Sequence, residues 1–281
     1  MILLAPSLSF SCNLHYLKLS FVRIVDERFC KWISCACKCT KEIKLFHING
    51  MESITIEGLS LESFKLASTV LFHLNLCDWT FGTSSKSRSL KIFAPNLRKL
   101  RWKGKLLNSQ SLGEFMSLEK AQIFLKPEVN GYDNLYEVLC SVCRAKVLIL
   151  NEETIKVLFT EGSRPGPLDD IRYLGLHLRS LNNELVPAVV SLLRGVPNLN
   201  TLNIESGRGR RETNPMLVAV TIKLSDASNE IELARYVVEY AQNLKKMTIL
   251  CSSFQQPSDV QGKVSKCKMF STAFVVIQSS V

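Results

Sequence analysis

The chain has 281 residues, 46% of them hydrophobic, with 35 Lys and Arg against 25 Asp and Glu for a formal charge of +10. That apolar content is ample for a core, and no apolar run nears the roughly eighteen residues of a membrane span; the longest lie around 186–193 and 273–277. The ten cysteines show no framework-like spacing, which suits a reducing cytoplasmic or nuclear setting better than a disulfide scaffold. The apolar opening, residues 1–8, lacks the basic start of a signal peptide. The positive charge favours acidic partners without naming one.

In chain order, a loose Leu-x-x-Leu-x-Leu signature opens at Leu14/Leu17/Leu19. It returns at Ile43/Phe46/Ile48, Leu71/Leu74/Leu76, Leu97/Leu100/Trp102, Leu118/Ala121/Ile123, Ala145/Leu148/Leu150, Ile171/Leu174/Leu176 and Leu199/Leu202/Ile204. Single matches arise by chance in so apolar a chain; the signal is the spacing, with steps of 29, 28, 26, 21, 27, 26 and 28 residues. Such steps predict an α/β leucine-rich-repeat solenoid over residues 1–206, with parallel strands on a concave face and helices or loops on a convex one. No Asn or Cys stands three residues after the last apolar position, where Val22, Met51, Trp79, Lys105, Lys126, Glu153, Arg179 and Gly207 lie. The solenoid is therefore expected to be irregular.

Two return segments have helical spacing: Leu135, Val138, Leu139 and Val142, then Leu185, Val189, Leu192 and Leu193, the latter stopping at Gly195 before Pro197. Residues 82–89 and 162–167 read as loops. The repeat spacing breaks after 206–215, which carries Arg208, Arg210 and Arg211. Beyond it a strand is predicted over 217–224, then a helix opened by the capping-box pair Asn229 and Glu232, then strands over 244–250 and 269–277. Residues 207–281 thus form a small αβ cap on the open end of the array.

The runs FCKWISCACKCTKEIKLFHINGMESITIEGLSLESFKLAS, APNLRKLRWKG and LLRGVPNLNTLNIE resemble the plant F-box and leucine-rich-repeat family. The run LVAVTIKLSDASNEIELARYVVEYAQNLKKMTIL is similar to the FBD domain that closes many of its members. The resemblance implies a target-recognition subunit of an SCF-type ubiquitin ligase, docking the Skp and cullin components through an N-terminal F-box. With the first signature at Leu14, no F-box is expected in this sequence. The alternative is then a stand-alone scaffold or competitive inhibitor that binds a protein target without ligase docking.

Alternation puts Tyr16, Lys18, His47, His73, Asn75, Lys99, Arg101, Lys103, Lys120, Gln122, Tyr173, His177, Asn203 and Glu205 on the concave face. Lys99, Arg101 and Lys103 on one strand repel one another unless something acidic sits opposite, so they are the foremost ligand contact. A basic binder of nucleic acid or a phosphate ligand is the third reading, disfavoured because no aromatic accompanies Arg208, Arg210 and Arg211. Cys30, Cys35, Cys37 and Cys39 lack zinc-pair spacing and are expected to be buried packing residues. No catalytic residue, metal or cofactor is predicted, since the four histidines are scattered and no phosphate loop, nucleophile elbow or dinucleotide fingerprint occurs.

Overall fold

A computed structural model describes residues 2–3, 13–26, 28–51, 53–67, 89–126, 131–159, 168–178, 185–206, 219–224, 246–251 and 274–279. The protein is mixed α/β, dominated by parallel sheet, with no closed barrel among the described residues. By compactness it divides into two units, residues 1–145 and 146–281.

The first unit is built around five parallel strands: β2 (Tyr16–Ser20), β4 (Glu42–Phe46), β6 (Ser63–Ala67), β8 (Lys99–Lys105) and β10 (Lys120–Lys126). Three more, β5 (Ser53–Glu57), β7 (Ser89–Phe93) and β9 (Ser109–Leu112), form a second parallel sheet. The chain alternates between the sheets from β4 to β10, and each strand but β9, whose buried residue is Gln110, carries apolar residues at alternate positions and turns one face inward. Ile43, Leu45, Phe64, Leu66, Leu100 and Trp102 supply the first sheet's buried face, and Ile56, Leu90 and Ile92 that of the second. Helix α1 (Arg28–Ala36) packs beside β5 and α2 (Tyr132–Ser141) beside β9, so both edges of the three-stranded sheet are covered. The pair β1 (Ile2–Leu3) and β3 (Arg23–Ile24) completes the unit.

The second unit holds six parallel strands in sequential order: β11 (Val147–Asn151), β12 (Tyr173–Leu178), β13 (Thr201–Ser206), β14 (Ala219–Leu224), β15 (Lys246–Cys251) and β16 (Phe274–Ser279). Its described return segments are α3 (Glu152–Phe159) and α4 (Leu185–Arg194), which pack against each other. Pro187 lies in the first turn of α4, where a missing N–H breaks no helical bond. The sequence break near 206 falls between β13 and β14, which are hydrogen-bonded neighbours within this one sheet. Strands stand within or beside the three segments expected beyond that break, at 219–224, 246–251 and 274–279. The helix expected after Asn229, the loop at 162–167, residues 82–88 and Arg208, Arg210 and Arg211 lie outside the described residues.

Two backbone devices recur in both units. The N–H of the first signature residue closes a turn onto the carbonyl three residues earlier: Thr40 to Cys37, Leu61 to Gly58, Leu97 to Ala94, Leu118 to Phe115, Ala145 to Val142, Ile171 to Leu168 and Leu199 to Val196. Just before each strand, one carbonyl then accepts two N–H groups from the next repeat. His15 O receives Lys41 and Glu42, Lys41 O receives Glu62 and Ser63, Glu62 O receives Arg98 and Lys99, and Arg98 O receives Glu119 and Lys120. Lys146 O and Arg172 O do the same in the second unit. These bonds join successive repeats without an asparagine after the strand.

They also correct the register of two repeats. The second repeat starts at Thr40 and buries Ile43 and Leu45, while Phe46 is half-buried on the other face; the third starts at Leu61 and buries Phe64 and Leu66. The signature read at Leu71/Leu74/Leu76 lies outside the described residues. Of the helix stripes, Leu135, Val138, Leu139 and Val142 are buried as expected, whereas Leu193 is half-buried and Ala188 takes its place beside Leu185, Val189 and Leu192.

Candidate binding face

With one face of the five-stranded sheet committed to the core, the other presents its alternate side chains outward. Parallel pairing without a slip stacks them in rows across the strands. One row runs Tyr16, Glu42, Ser63, Lys99, Lys120, and the next Lys18, Lys44, Lys65, Arg101, Gln122. A third runs Ser20, Phe46, Ala67, Lys103, Phe124.

This face carries one carboxylate among many cations, and that carboxylate is engaged. Glu42 Oε1 lies 3.1 Å from Lys44 Nζ and 3.4 Å from Lys65 Nζ, and it accepts a hydrogen bond from Ser63 Oγ at 3.3 Å. Lys44 Nζ also donates to Tyr16 Oη at 3.3 Å and stands 4.7 Å above the Tyr16 ring, a cation–π arrangement. Burial alone pushes the Glu42 carboxyl up, but the hydrogen bonds and charges of Lys44 and Lys65 together hold it below the ordinary carboxylate value. The hydrogen bond to Glu42 conversely raises Lys44. The β2–β6 half of the face, Lys18 apart, is therefore tied together by ion pairing around one carboxylate.

The β8–β10 half is not. Lys99, Arg101, Lys103 and Lys120 form no ion pair among the described residues. Lys99 stands directly opposite Lys120. Like charges directly opposite one another destabilise a sheet, so this half is arranged against the fold's own electrostatic interest.

On β11, β12 and β13 of the second unit the same alternate positions carry a single acidic residue and no Lys or Arg. Val147, Ile149 and Asn151 pair with Tyr173, Gly175 and His177, which pair with Thr201, Asn203 and Glu205. A Cβ on Gly175 would meet Ile149 Cγ2 and Cγ1 at 3.1 and 3.2 Å and the Tyr173 ring at 3.4 Å, so these two side chains close over the glycine.

The candidates thus fall into two groups. Tyr16, Lys18, Lys99, Arg101, Lys103, Lys120 and Gln122 share one sheet face in the first unit, and Tyr173, His177, Asn203 and the Glu205 backbone position share one in the second. His47 stands elsewhere. It follows β4 with a left-handed φ of 52° and stacks on Phe21, itself at φ 56°, with ring centroids 4.4 Å apart. His73 and Asn75 lie outside the described residues. The reading missed Lys44, Lys65 and Glu42, because a misplaced second repeat and an unrecognised third shifted their strands out of register.

It also missed the asparagines that do serve the repeats. Asn96 Nδ2 donates to Leu59 O at 2.9 Å and Asn198 Nδ2 to Asp169 O at 3.1 Å, each bonding the turn of the preceding repeat. The signal was the tripeptide Pro-Asn-Leu at 95–97 and again at 197–199, ahead of the strand instead of after it.

No protein-family model and no curated protein matches this chain. Among the described residues, no three His, Cys, Asp or Glu gather as metal ligands, and no helix is long and apolar enough to cross a membrane. Cys30 and Cys37 are buried, but Cys35 and Cys39 are exposed and all four are free thiols. The expectation that the cluster is buried packing is thus corrected for the latter pair, because the buried face of α1 is taken by Phe29, Cys30, Ile33 and Ala36. Burial pushes the Cys30 thiol up despite a backbone hydrogen bond at Thr55, which makes it the least reactive form of cysteine.

Proposed function

We propose that the protein is a leucine-rich-repeat solenoid that recognises a protein target through the outward faces of its parallel strands and carries no catalysis of its own. The observation that carries this reading is the in-register stacking of polar and basic side chains on the β2–β10 sheet. A face built by repetition offers a broad surface for a macromolecule instead of a pocket for a substrate. The cap reading of residues 207–281 as FBD-like belongs to the same proposal, as does a cytoplasmic or nuclear setting, which the free thiols suit.

By resemblance, the target would be presented to an SCF-type ligase wherever Skp and cullin subunits are recruited; without them the same face makes a scaffold or competitive inhibitor. Cross-linking of captured proteins tests the face. Cross-links should concentrate on Lys99, Lys103 and Lys120, and the serine variants of these residues should lose capture while Lys91→Ser, on the second sheet, keeps it. Capture indifferent to all four substitutions refutes the reading. Co-precipitation of Skp and cullin then separates ligase subunit from scaffold.

A further inference from the structure

We propose that the β8–β10 half of the basic face is a track for an extended acidic polypeptide, lying along the strands with Asp or Glu at every second position. The inference rests on the binding-face reading and adds the ligand's chemistry and direction. Lys99, Arg101 and Lys103 occupy alternate outward positions of β8, which sets their Cα atoms about 6.6 Å apart. An extended peptide repeats its own same-side residues at nearly that distance, so successive carboxylates meet successive cations in step. Lys120, one strand over and opposite Lys99, adds a cation about 4.8 Å to the side and widens the track at the end where β8 begins.

The direction follows from Glu42. A ligand running across the strands toward β2 would leave the free cations and pass over a carboxylate whose neighbours Lys44 and Lys65 are already satisfied. A ligand running along β8 meets no such group. The chemistry follows from the aromatic residues. Single-stranded nucleic acid relies on successive rings for base stacking, but Trp102 is 2% exposed and turned into the core, and the outward positions of β8 and β10 carry one half-buried ring, Phe124. A polypeptide needs only the charges.

Fluorescence anisotropy of the full chain tests this with two labelled peptides of about twelve residues and equal composition, one alternating Glu and Thr, the other with Glu in adjacent pairs. The alternating peptide should bind saturably at low salt and several-fold tighter than the paired one. The Lys99→Ser/Arg101→Ser/Lys103→Ser variant should weaken it about tenfold, whereas Lys91→Ser, on the second sheet, should leave it within twofold. Lys103→Ser alone, at an exposed site, keeps the test open if the triple variant does not fold. Equal binding of the two peptides, no saturable binding, or displacement of the peptide by a tighter-binding oligothymidine each overturns the proposal. Peptide failure alongside variants that still lose target capture refutes this track alone; capture that survives the variants refutes the face on which it rests.

Discussion

The two units run the same repeat with different return segments, and the difference shows in chain length before it shows in packing. Where a helix returns the chain, successive repeat-opening residues stand 26 to 28 apart: Leu14 to Thr40 through α1, Leu118 to Ala145 through α2, Ala145 to Ile171 through α3 and Ile171 to Leu199 through α4. Where a strand returns it, the step falls to 21, from Thr40 to Leu61 through β5 and from Leu97 to Leu118 through β9. A helix rises 1.5 Å per residue and a strand about 3.3 Å. Five strand residues therefore cover the distance for which α2 and α4 use ten. The shortened step is the sequence signature of a coil with strand on both sides. The 36-residue step from Leu61 to Leu97 also returns through a strand, β7, with residues 68–88 between.

The largest effect that bears on this contrast is a core truncation in each unit. Phe64 and Leu176 are both fully buried, the first between two sheets and the second on the core side of β12. Phe64→Ala should cost about 3–5 kcal/mol and Leu176→Ala about 2–5 kcal/mol, read from chemical denaturation. Hydrogen exchange should place the first loss in the amides of β4, β6 and β8; uniform loss along the whole chain would break the distinction between the units.

Next come two glycines that differ for the same reason. Gly50 adopts φ 88° and its missing Cβ would strike the Ile24 backbone carbonyl, which cannot move aside, so Gly50→Ala should cost about 1–3 kcal/mol. At Gly175 the φ is not left-handed and the contacts are Ile149 Cγ2 and Cγ1 at 3.1 and 3.2 Å, side-chain atoms that need give only a few tenths of an ångström, so Gly175→Ala should cost less than Gly50→Ala. Equal thermal midpoints for the two variants would contradict this account.

A smaller effect has the opposite sign. Lys120→Glu places a carboxylate opposite Lys99 and should stabilise the first unit by about 0.2–1 kcal/mol while abolishing binding of the alternating peptide. A loss of stability would show that the cations of this face do not oppose folding.

The smallest effect is acid sensitivity. Because Lys44 and Lys65 hold the folded Glu42 carboxyl below its ordinary value, their contribution is complete above the usual carboxylate range and is lost as pH falls through the lower folded value. Partial exposure keeps it under about 1 kcal/mol. Glu42→Gln should flatten that limb of a stability-against-pH profile, and an unchanged slope would remove Glu42 from the account.

The strands that could be read directly are those with two large apolar residues at the inner positions and an apolar residue to open the repeat: Leu100/Trp102, Leu148/Leu150, Leu174/Leu176 and Leu202/Ile204. The second repeat escaped because Thr40 opens it. Its hydroxyl donates to Leu14 O at 2.8 Å, so a polar residue fills a buried position that a search for leucine passes over. Leu61/Phe64/Leu66 fits the pattern and was passed over because it stands only 18 residues after Ile43, where the second repeat had been placed. The candidate face was legible on β2, β8 and β10, where alternation was placed correctly. Its ion-paired half was not, since the partnership of Glu42 with Lys65 depends on the pairing of β4 with β6.

The short steps between repeats also bear on how the chain reaches its fold. Within each unit, hydrogen-bonded strand partners are separated by only 18 to 36 residues, so no pairing must wait for distant segments to find each other. Closing loops of that size differs in cost by well under 1 kcal/mol from the shortest to the longest. Nucleation can therefore begin at any repeat and spread to its neighbours, with sheet growth proceeding outward in either direction along the chain.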